Sequence, residues 1–303
     1  MRKTCFLIML VSHLLLLTAQ VYAQGDYPYR AAAKSKGIDP LANTVIGSLQ
    51  DYVIKKDDTL LDIARNFDLG YQDVTLAAPH LDPWLPPQGE QITLPTAWVL
   101  PPVIKQGIVI NVPELRLYLF SNSRKTVKTY PIGIGVLDAP TPFGRFTIIE
   151  KTKDPTWYIP SSLQEEYGRQ TMPPGPDNPL GAYRLRLSTS DYGIHGTNAP
   201  LGIGRLVSHG CIRLYPEDIK ELFSLVSLGT PVEIIYEPVK IGFKEGRIFV
   251  EVHPDIYHEI TDLFIYTARK LFISRLWEVV DIPLLAQAIE EHKGIPVDIT
   301  RKK

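Results

Sequence analysis

Sulfur is scarce in this 303-residue chain, which holds two cysteines, Cys5 and Cys211, and three methionines. So few thiols supply no disulfide framework of the kind that staples small exported domains. An excess of charge is missing too: 32 lysines and arginines stand against 33 acids, for a net charge of −1. A chain so balanced has no overall field to draw it onto nucleic acid, and no nucleic-acid partner is expected. After residue 23 no apolar run approaches the roughly 20 residues a membrane span needs, so no stable span is expected there.

The N-terminus carries a shorter apolar run. Arg2 and Lys3 give it a positive start, and Phe6 to Leu17 is apolar apart from Ser12 and His13. Val21-Tyr22-Ala23 then places small residues where a signal peptidase reads. Residues 1–23 are expected to be a cleaved signal peptide, and the run is too short for an uncleaved anchor. Cys5 precedes the apolar core, which does not support a lipid-anchor cysteine at the cleavage site. The expected product is a soluble exported protein of about 280 residues, enough for two compact domains or one with additions. Its single thiol, Cys211, is then either inert and buried or reactive. Tyrosines are plentiful, at 15, and 26 prolines point to many ordered loops.

Residues 24–49 are small, polar and aperiodic, and read as a linker or irregular leading segment. Residues 50–96 read as a separate small unit. Tyr52-Val53-Ile54 is strand-like, and Asp58 or Thr59 can cap a helix bearing Leu60, Ile63, Ala64 and Phe67. Gly70-Tyr71-Gln72-Asp73 opens a second helix, and Gln91-Ile92-Thr93-Leu94 closes the unit as a strand. This βααβ plan resembles a LysM module, a peptidoglycan-glycan binder, through Tyr52-Val53-Ile54-Lys55-Lys56-Asp57-Asp58-Thr59-Leu60 and Ile92-Thr93-Leu94-Pro95. Asp57 stands where that family usually has glycine, and Ala78 where asparagine before proline is common. The resemblance implies glycan strands as a partner; a packing module that binds no sugar is the alternative.

From Gly107 the pattern changes to alternation. Ile108-Val109-Ile110 and Glu114 to Phe120 flank an Asn111-Val112-Pro113 turn, a hairpin with Leu115, Leu117 and Leu119 on one face and Arg116, Tyr118 and Phe120 on the other. Further strands are expected at 126–131, 145–150, 182–187, 193–195, 231–236 and 247–252. Many short strands between Gly/Pro turns argue for a mainly β fold, with closed or sandwiched sheets and one helix at 216–226. The segment 171–181 is expected to be a rigid loop, neither strand nor helix. A C-terminal extension over 239–303 turns helical after Pro254, with a helix across 255–273 and a second one capped by Asp281 and ending near Gly294.

Chemistry concentrates in Gly193-Ile194-His195-Gly196-Thr197-Asn198 and Ser208-His209-Gly210-Cys211-Ile212-Arg213. A thiol attacks a carbonyl as thiolate, and a nearby imidazole can take its proton. His195, arriving from a separate strand, is the expected base. His209, two residues before Cys211 and facing the same way if the segment is extended, would shape the pocket or orient substrate. The carbonyl of Gly196 can hold the other ring nitrogen of His195, a triad whose third member is backbone. The amides of Gly210 and Cys211 are oxyanion-hole candidates. Arg213, on the Cys211 face, can meet a substrate carboxylate bidentately; Thr197, Asn198 and Ser208 are further substrate-contact candidates. A zinc site of His195, His209 and Cys211 is the competing reading, although His-x-Cys on one strand is unlike the usual zinc spacings.

Both segments resemble the signature of the L,D-transpeptidase family, whose catalytic unit is the YkuD domain. So do Pro131-Ile132-Gly133-Ile134-Gly135, Thr141-Pro142-Phe143-Gly144-Arg145-Phe146 and Gly175-Pro176-Asp177-Asn178-Pro179-Leu180-Gly181, in the manner of that family's Gram-negative ErfK-like branch. The resemblance covers roughly residues 105–238; Arg213 replaces an asparagine found in some members. It implies a periplasmic enzyme without cofactor that acts on peptidoglycan stem peptides. Cys211 would form a thioester with the third stem residue, release the terminal D-alanine, and pass the acyl group to an amine. That amine is another stem's diamino acid or a lysine of an outer-membrane lipoprotein. Resolution by water, as a carboxypeptidase or cross-link hydrolase, and a non-enzymatic wall-binding protein are the alternatives.

Overall fold

The computed structural model describes residues 25–33, 36–103, 106–189 and 192–302. The expected signal peptide, with Cys5, lies outside the described residues. No helix among the described residues is long and apolar enough to cross a membrane.

A curled nine-stranded sheet organises the chain. Its strands are β1 (Tyr27–Pro28), β2 (Gly107–Asn111), β3 (Arg116–Ser121), β4 (Thr126–Pro131), β5 (Gly144–Lys153), β6 (Tyr183–Leu187), β7 (Gly193–His195), β8 (Ile212–Arg213) and β9 (Pro231–Ile235). In space they run β1-β4-β3-β2-β9-β5-β6-β7-β8. Neighbours are antiparallel except β2 with β9 and β7 with β8. The architecture is mainly β, as expected.

Alternation along β2 and β3 places Ile108 opposite Leu119 and Ile110 opposite Leu117. This face joins Leu185, Ile194, Ile212 and the helix Pro216–Leu225 in one core, to which the helix gives Ile219 and Leu222. Val109, Tyr118 and Phe120 point the other way, into a second core with Leu60, Ile63, Phe67 and Trp98. A sheet covered on both faces explains why β2 reads as an apolar run and not as a clean in–out pattern.

The second core corrects the expectation of a separate unit at 50–96. That segment has the expected order: strand Gln50–Val53, helices Leu60–Asn66 and Tyr71–Ala77, strand Gln91–Leu94. Thr59 caps the first helix by accepting from the Asp62 amide. The unit is fused to the sheet, however, and a buried ion pair crosses the junction. Arg116 of β3 meets Asp73 at 2.6 Å and lies over the Trp98 ring. Removing one partner of such a pair would leave a buried charge uncompensated, at a cost of about 3–5 kcal/mol. The expected linker is corrected as well. Tyr27–Pro28 pairs with β4, and Val45–Gly47 pairs with Ala97–Val99, because Val45, Ile46 and Trp98 bury there.

The C-terminal extension is a hairpin, Val239–Lys244 and Arg247–Val252, covered by helices Leu263–Ile273 and Ile282–Glu291. Asp281 caps the last helix through the Leu284 amide, as its position suggests. The helix expected across 255–273 begins only at Leu263. Asp255 accepts from the Glu259 and Ile260 amides, and this local bonding holds the segment as a turn. A buried network fastens the extension to the sheet: Lys240 bridges Glu114 and Glu251 at 2.7 and 2.9 Å, and His253 meets Glu251 at 2.7 Å.

Candidate active site

Strand β7 runs antiparallel to β6 and parallel to β8, with Arg184, His195 and Arg213 side by side in one row. Their neighbours Leu185, Ile194 and Ile212 point into the core, so the row lies on the opposite face. Cys211 immediately precedes β8, and its charge acts on Arg213. The two segments singled out in the sequence therefore meet as adjacent strands of one sheet.

The turn that carries Cys211 is tightly braced. It follows a strand, Leu206–Ser208, that runs parallel to Ile134–Gly135. Gly210 has φ +99°, and a Cβ there would lie 2.3 Å from the Tyr192 ring, so only glycine fits. Thr141 donates its hydroxyl to the Gly210 carbonyl at 3.1 Å and accepts from the Gly135 amide at 3.0 Å. Tyr257, from the C-terminal extension, donates to the Gly135 carbonyl at 2.6 Å and accepts from the Thr141 amide at 3.2 Å. The extension thus supports the loop beneath the thiol. No sequence signal marked Tyr257 for that role.

Two expectations are corrected here. Ser208, expected to contact substrate, is 1% exposed and donates its hydroxyl to the Cys211 carbonyl at 2.6 Å, so it is a strut of the turn. The segment is bent at Gly210 and not extended, which removes the argument that His209 faces as Cys211 does; His209 is exposed on the outside of the bend.

His195 is 2% exposed, and its Nδ1 lies 2.7 Å from the Gly196 carbonyl oxygen. A carbonyl only accepts, so Nδ1 carries the proton and Nε2 holds the basic lone pair. Burial pushes the imidazole from 6.5 down to about 3; the charges of Arg213 and Arg184 push the same way, against the Gly196 hydrogen bond. Between those values the unfolded chain binds a proton at this position and the folded chain does not. Stability contributed here is therefore lost as pH falls from about 6.5 towards 3, on the order of 3 kcal/mol by pH 4. Denaturant titrations should show a steeper acid loss for the wild type than for His195→Gln; equal slopes contradict the assignment.

The loop 171–181 approaches from the side. Asn178, buried, donates to the carbonyls of Pro155, Pro173 and Met172, and its own Oδ1 accepts from the Leu180 amide. This locks the loop against β7, where a Cβ on Gly181 would lie 2.9 Å from the Thr197 nitrogen. The loop's first residues do pair, Thr171–Met172 with Trp157–Tyr158, which corrects the expectation of a loop throughout. Thr197 accepts from the Ala199 amide, and Asn198 donates to the Asp177 carbonyl. Both line a cavity of about 310 Å³ together with Asp154 and Pro174 to Pro176.

Among the described residues, three histidine, cysteine or carboxylate side chains converge only at Glu114, Glu251 and His253, where the Lys240 ammonium already sits among the carboxylates.

A family model described as YkuD, L,D-transpeptidase catalytic domain, matches residues 105–234. Over 289 residues the chain is 35% identical to the Escherichia coli (strain K12) protein named "Probable L,D-transpeptidase YcfS", covering 89% of this chain and 90% of that one. The chain belongs to the L,D-transpeptidase family. Two more relatives from the same organism are "Probable L,D-transpeptidase ErfK/SrfK", 34% identical over 87% of this chain and 90% of that one, and "Probable L,D-transpeptidase YbiS", 35% identical over 93% and 97%. Among solved structures, L,D-transpeptidase 3 from Mycobacterium tuberculosis matches at 19% identity over 43% of this chain and 61% of that one, with a TM-score of 0.36. Besides Tyr257, the candidate site holds another residue that sequence reasoning missed. Arg184 becomes visible only once the register sets it beside His195.

Proposed function

We propose that this protein is a periplasmic cysteine acyltransferase that acts on peptidoglycan stem tetrapeptides. Nε2 of His195 takes the Cys211 proton as sulfur bonds to the carbonyl carbon of the third stem residue. The amides of Gly210 and Cys211 stabilise the oxyanion. Collapse of the tetrahedral intermediate breaks the peptide bond, the imidazolium returns its proton to the leaving D-alanine amine, and a thioester remains. An amine from another stem's diamino acid or a lipoprotein lysine then takes the acyl group. Arg213 receives a substrate carboxylate, and the 50–96 unit holds the enzyme to glycan strands in the manner of a LysM module. The signal peptide over 1–23 would deliver the chain.

The observation that carries this reading is the Nδ1 hydrogen bond of His195 to Gly196, which leaves the lone pair on Nε2, in the strand that pairs with the one Cys211 leads into. Muropeptide mass spectrometry after incubation with purified sacculi tests it. New cross-links between third residues, or stems joined to a lipoprotein lysine, are the expected products. Unchanged muropeptides contradict it.

A further inference from the structure

The Cys211 amide, one of the two oxyanion donors, belongs to a peptide unit that is tethered from its other side. A peptide is planar and trans, so the carbonyl of Gly210 and the N–H of Cys211 form one rigid unit and point in opposite directions. The Thr141 hydroxyl holds that carbonyl at 3.1 Å. Where Thr141 stands therefore limits rotation of the unit, and with it the aim of the Cys211 amide. Glycine at 210, with φ +99°, leaves the backbone itself permissive, so an external tether matters here.

Thr141 in turn is fixed by the C-terminal extension. Its hydroxyl accepts from the Gly135 amide at 3.0 Å. The Tyr257 phenol spans the same two residues, donating to the Gly135 carbonyl at 2.6 Å and accepting from the Thr141 amide at 3.2 Å. The three residues close a ring of hydrogen bonds, so tight that a Cβ on Gly135 would lie 2.7 Å from the Thr141 nitrogen. Beside this ring, the Val136 amide donates to the Ser208 carbonyl at 2.9 Å, which ties down the start of the turn as well. Tyr257 is itself held. Its ring stacks on Tyr236 with centroids 6.0 Å apart, and its amide donates to the Tyr236 hydroxyl at 2.8 Å. That hydroxyl donates to Asp255. Burial raises the Tyr257 phenol above its ordinary range, so it remains a donor at neutral pH. Taking the proposed acyl transfer as its basis, we propose that Tyr257 is a positioning residue for the oxyanion hole, aiming the Cys211 amide through Thr141 and the Gly210 carbonyl. The C-terminal extension is then part of the catalytic unit.

Two reactions of the same sulfur separate aim from general support. Acylation by a stem tetrapeptide develops an oxyanion, whereas alkylation by iodoacetamide displaces iodide and develops none. Both are followed by intact-protein mass on the mature chain, with thermal melting alongside. Tyr257→Phe keeps the ring and loses the hydroxyl. It is expected to lower the maximal acylation rate about 10- to 100-fold, as a small misplacement of a catalytic group does. The half-saturating peptide concentration and the alkylation rate are expected to stay within about twofold of wild type, because the lost interaction acts only in the transition state. Thr141→Val should give a similar loss, and Thr141→Ser should recover most of it. The double variant Tyr257→Phe/Thr141→Val should fall no further than the worse single, because both act through one path. Unchanged acylation in Tyr257→Phe, alkylation that falls in step with acylation, or losses that multiply in the double variant overturn the inference and leave the acyltransferase reading standing. A wild type that is alkylated at Cys211 yet never acylated overturns that reading, and this one with it.

Discussion

Cys211→Ser is expected to lower the rate of donor acylation by on the order of 10⁴-fold or more, with no change in the melting temperature. The two side chains differ by one atom, and backbone carbonyls brace the turn. Ser208 holds the Cys211 carbonyl, and Thr141 holds the carbonyl of Gly210. What changes is the proton. A thiol ionises near pH 8.5, within reach of a modest base, whereas a serine hydroxyl does not. An imidazole whose proton affinity is lowered, chiefly by burial, takes a proton from an alcohol far less readily than from a thiol. The check is acylation kinetics of both proteins on one tetrapeptide; a serine variant acylating at the wild-type rate contradicts the assignment.

His195→Ala is the second large effect, expected at about 10²- to 10⁴-fold in acylation rate, the range for loss of a positioned general base. Raising the pH should recover part of this loss, because solvent then supplies the thiolate that the imidazole no longer generates. Wild-type rate should be far less pH-dependent above neutrality. Rate–pH profiles of the two proteins make the comparison. An alanine variant with the wild-type profile removes His195 from the mechanism.

Much of this site was legible in the chain because its chemistry is local. Gly193 to Asn198 and Ser208 to Arg213 are short strand-plus-turn segments, and glycine at 210 announces a bend no other residue tolerates. Strands such as 126–131 and 247–252 emerge at their expected bounds because alternation and turn residues agree there. Tertiary pairing is what hid the rest. Segment 24–49 looks featureless, yet Val45 and Ile46 bury once Ala97–Val99 is alongside. Arg116 looks like a surface residue of an alternating strand until the Asp73 carboxylate of a distant helix answers it. Arg184 and Tyr257 gain their positions from register and from domain packing, and neither leaves a periodic trace. His209 misled for the opposite reason: proximity in sequence suggested a shared face that the Gly210 bend takes away.

The claim on which the account stands is covalent capture of a stem peptide by one sulfur. Intact-protein mass spectrometry of the mature chain with a stem tetrapeptide measures it directly. The account predicts an adduct equal to the tetrapeptide less one molecule of alanine, labile to hydroxylamine as a thioester is, and mapped by digestion to Cys211. An adduct on another residue, or turnover that proceeds with the Cys211 sulfur alkylated, contradicts it.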